Sequence, residues 1–326
     1  MTAAAGSGGL SPGRRIGDNL GVNRQVAAAA SCAALCLFVA AFVVQRPAPV
    51  ALPVERASNV FFVRATVNGQ GPFWFTVDTG ATLTVIDPST ARRAGLAVHA
   101  AGRRHVGVGA DETDLLTTTG ATIEIAGLPA FSPPRLYVVP VQANAHPLGH
   151  AVDGVLGTDV LRGYVVEFDY AASRVTLSAP RGGRRGAAGD DGVAITLHGN
   201  VLVAPATIAL PDGAEVPSRL LLDTGSNGSL TLTTPFVRRH GLADRFPSLR
   251  ASAAIGINGM SISPVIQLQS IAVGAALIRG PDAALSKTGA GLHASTDFDG
   301  ILGAELLRGF RVVIDYPGQR LRLVRQ

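Results

Sequence analysis

Leu221-Leu222-Asp223-Thr224-Gly225-Ser226 decides the fold, because Phe75-Thr76-Val77-Asp78-Thr79-Gly80-Ala81 carries the same device 145 positions earlier. Each copy is an apolar strand that runs into an acid, a hydroxyl and a glycine. Such an ending delivers a carboxylate onto a tight turn at the edge of a packed core, where glycine lets the backbone reverse. Each copy is then followed by a second motif, Asp153-Gly154-Val155-Leu156-Gly157 and Asp299-Gly300-Ile301-Leu302-Gly303, at distances of 75 and 76 residues from the leading acids. Further matches extend the pairing: Leu161-Arg162-Gly163 with Leu307-Arg308-Gly309, and Asp169-Tyr170 with Asp315-Tyr316. The chain is therefore an internal duplication of one structural unit. Arg92-Arg93-Ala94-Gly95-Leu96 matches Arg238-Arg239-His240-Gly241-Leu242 at an offset already grown to 146, which places the extra residue just after the second Asp-Thr-Gly.

With 326 residues, 47% of them hydrophobic, the chain can bury two modest cores. Its 39 glycines and 20 prolines favour turns and short strands over long helices. Both cysteines, Cys32 and Cys36, sit in an apolar run, so the remainder of the chain has no disulfide framework and no cysteine metal site. The net charge of +5 raises nucleic acid as a partner, but the arginines come as scattered pairs without an aromatic platform, which reads as a solvated surface and no nucleic-acid binding.

In order, residues 1–25 read as a disordered cytoplasmic tail. Val26 to Val44 then runs 19 residues without a charge, long enough to span a bilayer. That run exceeds a usual signal-peptide core and no small-x-small cleavage site follows it, so it reads as an uncleaved transmembrane signal anchor. Arg14, Arg15 and Arg24 precede it against Asp18 alone, which puts everything after residue 45 outside the cytoplasm. Residues 45–56 read as a Pro-rich tether, 57–179 as the first lobe, 180–192 as a linker and 193–326 as the second lobe.

Within the first lobe the pattern predicts strands over Val60 to Val67 and Phe73 to Val77, a hairpin aimed at Asp78. Strand continues over Leu83 to Ile86. Asp87 then caps a short helix with Pro88 at its first position and Gly95 past its end, and Thr234, Pro235 and Gly241 repeat that arrangement. Gly107-Val108-Gly109 and Gly256-Ile257-Asn258-Gly259 lie at Gly-bracketed tips between strand-like runs. They are candidates for mobile flaps, with ordinary surface hairpins as the alternative. His146 and His150 have helical spacing interrupted by Pro147, and no His-Glu-x-x-His or Gly-x-Ser-x-Gly is present, so neither a metal site nor a serine nucleophile is expected. No cofactor is expected either.

Two carboxylates brought together from equivalent lobes repel if both ionise, so the pair is expected to share a proton, one acid raised in pKa and the other lowered. A water between them has a base on one side and a proton donor on the other. That is general acid–base work on an amide with no metal and no covalent intermediate.

Asp-Thr-Gly, a flap-like hairpin, apolar-apolar-Gly and a terminal Asp-Tyr hairpin together resemble the pepsin and retropepsin clan of aspartic proteases, bacterial retropepsin-like aspartyl proteases above all. The likeness covers about residues 60 to 178 and 200 to 325. It implies an all-β, bilobal acid-protease fold with Asp78 and Asp223 as the catalytic pair and a polypeptide as substrate. By the same resemblance Thr79 and Thr224 cross-link the active-site turns, Gly80 and Gly225 permit close approach, and Gly157 and Gly303 lie where the chain passes behind each turn. Asp153 and Asp299 read as structural. The chain lacks a flap tyrosine between Ala97 and Arg135, which moves the likeness toward retropepsins. Ala81 stands against Ser226 after the two Asp-Thr-Gly turns, and a Ser226 hydroxyl bonded to Asp223 would leave Asp78 carrying the proton.

The resulting expectation is a monomeric pseudo-dimer, anchored by a single span in the inner membrane with its lobes in the periplasm, acting as an endopeptidase. A rival keeps the same cleft but uses it as a catalytically silent peptide-binding module of the cell envelope.

Overall fold

The computed structural model describes residues 47–105, 113–142, 145–180, 192–248, 250–256 and 259–326. The expected tail and transmembrane segment, the flap residues Gly107, Val108, Gly109 and Ile257, and residues 181–191 of the expected linker lie outside this set. Among the described residues no helix is long and apolar enough to cross a membrane.

The described chain is mostly β, and its strands form three sheets. The first lobe is built on Val60–Val67 and Gln70–Val77, which pair antiparallel with Val63 opposite Phe75. Gly154–Leu156 lies parallel beside the second of these strands, Leu156 opposite Val77, and antiparallel to Val85–Ile86. The second lobe repeats this: Gly300–Gly303 runs parallel to Glu215–Asp223, Leu222 opposite Leu302, and antiparallel to Leu230–Leu232. The near-equal spacing between the two motifs of each half now has a cause, since the second motif is the strand against which the acid-bearing strand is laid. These strands are central and covered on both faces, which is why Leu220, Leu221 and Leu222 form an unbroken apolar run and are all fully buried.

The lobes meet in a six-stranded sheet whose middle pair is Val165–Asp169 against Phe310–Asp315, antiparallel. Glu167 faces Val313. These two positions are equivalent in the duplication, so an approximate two-fold axis passes through their pairing and each half offers the other the same strand. Arg174–Ser178 and Arg320–Arg325 extend the sheet on either side.

The segment expected as a tether belongs to the fold. Val50–Leu52 pairs with Arg174–Ser178, and Val54–Ala57 pairs with Val60–Val67. Its alternation of Val50, Leu52 and Val54 is strand periodicity, masked in the sequence by the prolines around it. Short helices occur at Pro88–Arg93 and Thr234–Arg239, near where they were expected, and at Thr158–Leu161 and Ala304–Leu307, running into each Leu-Arg-Gly. Two more, Ala145–Leu148 and Leu242–Arg245, were not expected. The first contains Pro147, which a single turn tolerates because its N–H has no intrahelical partner there to lose.

The helix cap is only half duplicated. Asp87 accepts a hydrogen bond from Ser89 N at 2.8 Å, and Gly95 beyond the helix has φ of +70°. In the second lobe the capping position is Thr233, one residue before the expected Thr234, and no side-chain capping bond forms. The Thr234 hydroxyl donates instead to Thr288 O at 2.8 Å.

Candidate active site

Asp78 and Asp223 end their strands on turns that face each other across the two-fold axis, each carboxyl lying against the glycine of the other's turn. Each carboxylate is first held by its own turn. Asp78 Oδ1 accepts from Gly80 N at 2.7 Å and Ala81 N at 3.2 Å; Asp223 Oδ1 accepts from Gly225 N at 3.0 Å and Ser226 N at 2.9 Å.

The threonines lock the turns together. Thr79 Oγ1 donates to Leu222 O at 2.7 Å and accepts from Thr224 N at 3.1 Å; Thr224 Oγ1 donates to Val77 O at 2.9 Å and accepts from Thr79 N at 3.1 Å. Both side chains are fully buried, so each of these main-chain groups depends on the opposite lobe for its partner. The glycines complete the interlock. A Cβ on Gly80 would lie 2.6 Å from Asp223 Cγ, and one on Gly225 would overlap Asp78 Cγ, so no larger residue leaves the facing carboxyl in place.

Gly157 and Gly303 sit behind the turns. A Cβ on Gly157 would meet Leu83 C at 2.5 Å, and one on Gly303 would meet Gly228 C at 2.9 Å, so in both lobes the chain crosses directly over the glycine. Asp153 and Asp299 point away from the pair. Asp153 accepts from Trp74 N at 2.8 Å and Thr90 Oγ1 at 3.1 Å and pairs with Arg93; Asp299 accepts from Arg219 N at 2.8 Å and from Arg239 at 2.7 Å. They fasten each acid-bearing strand to the following helix. Arg93 and Arg239, read from sequence as solvated surface, are the duplicated partners of these buried acids. The Arg-Arg match between the halves was the signal for them.

Burial raises the Asp78 carboxyl above its ordinary value, opposed by the Gly80 N–H and by the proton that Asp223 offers. Asp223 is raised further, first by burial and then by the negative charge of Asp78. Both carboxyls are raised, where the sequence reading expected one of them lowered. Among the described residues the Ser226 hydroxyl makes no bond to Asp223. Ser226 presents its backbone N–H to Asp223, as Ala81 does to Asp78, while its hydroxyl accepts from Gly228 N at 3.4 Å.

Two groups escaped the sequence reading. Tyr170 and Tyr316, one from each Asp-Tyr pair, are buried with hydroxyls that have no partner among the described residues, and their phenols are raised by burial and by the charges of Asp223 and Asp78 respectively. Each lies in the field of the acid from the opposite lobe.

The pair opens into a cleft of about 440 Å³. Gly80, Ala81, Pro147 and Leu148 line it from the first lobe, and the second lobe supplies the rest of the wall. Of the flap candidates, Gly256 and Gly259 are paired at the end of a hairpin made of Arg250–Gly256 and Gly259–Gln267. The strands His99–His105 and Thr113–Thr118 form the corresponding hairpin in the first lobe. Among the described residues, no three His, Cys, Asp or Glu side chains gather in a way that could hold a metal.

A family model described as Aspartyl protease matches residues 63–160 and again 203–306, one match for each half of the duplication. Among solved structures, the aspartic proteinase from Irpex lacteus is similar at 14% identity and a TM-score of 0.48, over 86% of this chain and 98% of that one. No curated protein matches the chain.

Proposed function

The chain belongs to the aspartyl protease family, and from that premise we propose that it is an endopeptidase in which Asp78 and Asp223 activate one water molecule between them. The observation that carries this reading is the placing of the two carboxyls together in one cleft, each against the glycine of the other's turn, on turns that each lobe braces for the other. In the starting state Asp78 is the anion and Asp223 holds the proton. Water gives its proton to Asp78 as its oxygen attacks the carbonyl carbon of an extended peptide, and Asp223 passes its proton to the carbonyl oxygen. The tetrahedral diol then collapses. The C–N bond breaks as the nitrogen takes the proton from Asp78, and a hydroxyl proton returns to Asp223.

The raised pKa of both carboxyls supports this, because a pair that cannot ionise fully holds an acid and a base together in one site. Thr79, Gly80, Thr224 and Gly225 act as positioning residues for the pair. We further propose that Val26 to Val44 anchors the enzyme in the inner membrane as a single span with the lobes in the periplasm. The uncharged run and the arginines before it support this. The substrate is then a polypeptide of the envelope or one exported across it.

The test incubates residues 47–326 with an unfolded protein across acidic and neutral pH. Cleavage is expected, and Asp78→Asn or Asp223→Asn is expected to lower it by ~10³-fold or more. Peptide binding without turnover at every pH, or turnover that survives either substitution, overturns the proposal.

A further inference from the structure

The cleft is chemically one-sided. Strand register explains how: Ser252 pairs with Ser263, Val265 with Ala284, Ala284 with Thr231, and Thr231 with Ile301. Paired residues share a sheet face. One face of the second-lobe sheet therefore carries all six side chains, and all six line the cleft. The opposite face packs Leu232, Ile266, Ala283 and Leu285 into the core. Three of the six cleft residues are hydroxyls, and the first lobe supplies none among the described residues that line the cleft.

These hydroxyls are not spent on the protein. Ser263 is only 6% exposed, yet its hydroxyl has no hydrogen-bond partner among the described residues, and neither do those of Ser252 and Thr231. His293 lines the same cleft, is 4% exposed, and has an Nδ1 without a partner among the described residues. A substrate that fills the cleft takes water away from these hydroxyls, and a polar group left unpaired there is costly, so the wall favours a substrate group that can pair with them. Its charged residues do not select a charged ligand. Arg250 is paired with Asp282, and Glu305 is exposed.

We infer that this wall is a specificity subsite for a substrate residue beside the scissile bond whose side chain is uncharged and hydrogen-bonding, namely threonine, asparagine or glutamine. Val265 and Ile301 take its methyl or methylene groups, and Ser252, Ser263 and Thr231 meet its polar end. This refines the protease reading given above and rests on it.

Matched isosteres test the inference, because glutamine against methionine and threonine against valine change hydrogen bonding with little change in shape. Peptides differing only at positions flanking the cleaved bond are compared by kcat/KM. At one of those positions the polar member is expected to be cut ~10-fold faster. Ser263→Ala and Thr231→Val are each expected to shrink that ratio by roughly 3- to 10-fold. Equal or better cleavage of the apolar member at every position, or a ratio unmoved by both substitutions, overturns the subsite. The same peptides are also titrated against Asp223→Asn, which reads the preference from binding alone. Absence of cleavage by the wild type defeats the protease reading, whereas tighter binding of the apolar peptides defeats the subsite separately.

Discussion

Asp78 and Asp223 hold equivalent places in two copies of one motif, and each accepts from the two N–H groups that follow it in its own turn. Burial raises both, and the Asp78 charge raises Asp223 further. Stability should report this. Both carboxyls are raised above the usual aspartate value of about 3.9, so between that pH and the folded pKa the folded chain holds more protons than the unfolded one. The contribution is fully present below about pH 4 and is lost as pH rises through the folded pKa of Asp223. Asp223→Asn cannot ionise there. Melting temperature is therefore expected to decline less steeply above pH 4 in that variant than in the wild type, leaving the variant the more stable of the two at neutral pH. Asp169 and Asp212 are lowered and push the opposite way, but both proteins carry them and they cancel in the difference. Parallel curves would refute the argument. At this scale the sequence displayed the acids, threonines and glycines, because the same pattern stands there twice. It could not display that both carboxyls are raised, which depends on how deeply the docked lobes bury them.

The helices after each acid turn show where motif reading stops. Pro88 and Gly95 announce the first helix, and Asp87 caps it while also accepting from Gln142 N at 3.1 Å. The second copy presents two adjacent threonines, and their letters do not reveal which one caps. Thr234 is committed to Thr288, and the buried Thr233 hydroxyl has no partner among the described residues. Asp87→Ala is therefore expected to cost about 1–2 kcal/mol in denaturant titration, since it strands two backbone donors. Thr233→Ala should fall within about 0.5 kcal/mol of the wild type or stabilise it. Equal losses would show that the two caps are alike after all. Val50–Leu52 and Val54–Ala57 were missed for a related reason: three or four residues among prolines give too short a window for alternation to stand out.

For the molecule as a whole, the duplication identified equivalent segments but not which of them touch. Val165–Asp169 and Phe310–Asp315 were matched as copies, whereas the structure hydrogen-bonds them to each other through the two-fold axis at Glu167 and Val313. Self-pairing of a repeat is a tertiary fact, fixed by how two cores dock. Because one chain supplies both acids and both halves of this joint, activity should not depend on association. Specific activity is expected to stay constant on serial dilution to low nanomolar enzyme, with elution at monomer size. A fall in specific activity on dilution would mean that lobes pair between chains.

Gly80 lies against the Asp223 carboxyl and Gly225 against that of Asp78, so at these places the two halves of the gene have one history to live through. A side chain acquired by either copy would ruin the acid belonging to its sibling. Doubling gave the halves licence to diverge almost everywhere else, and here it bound each to remain what the other requires.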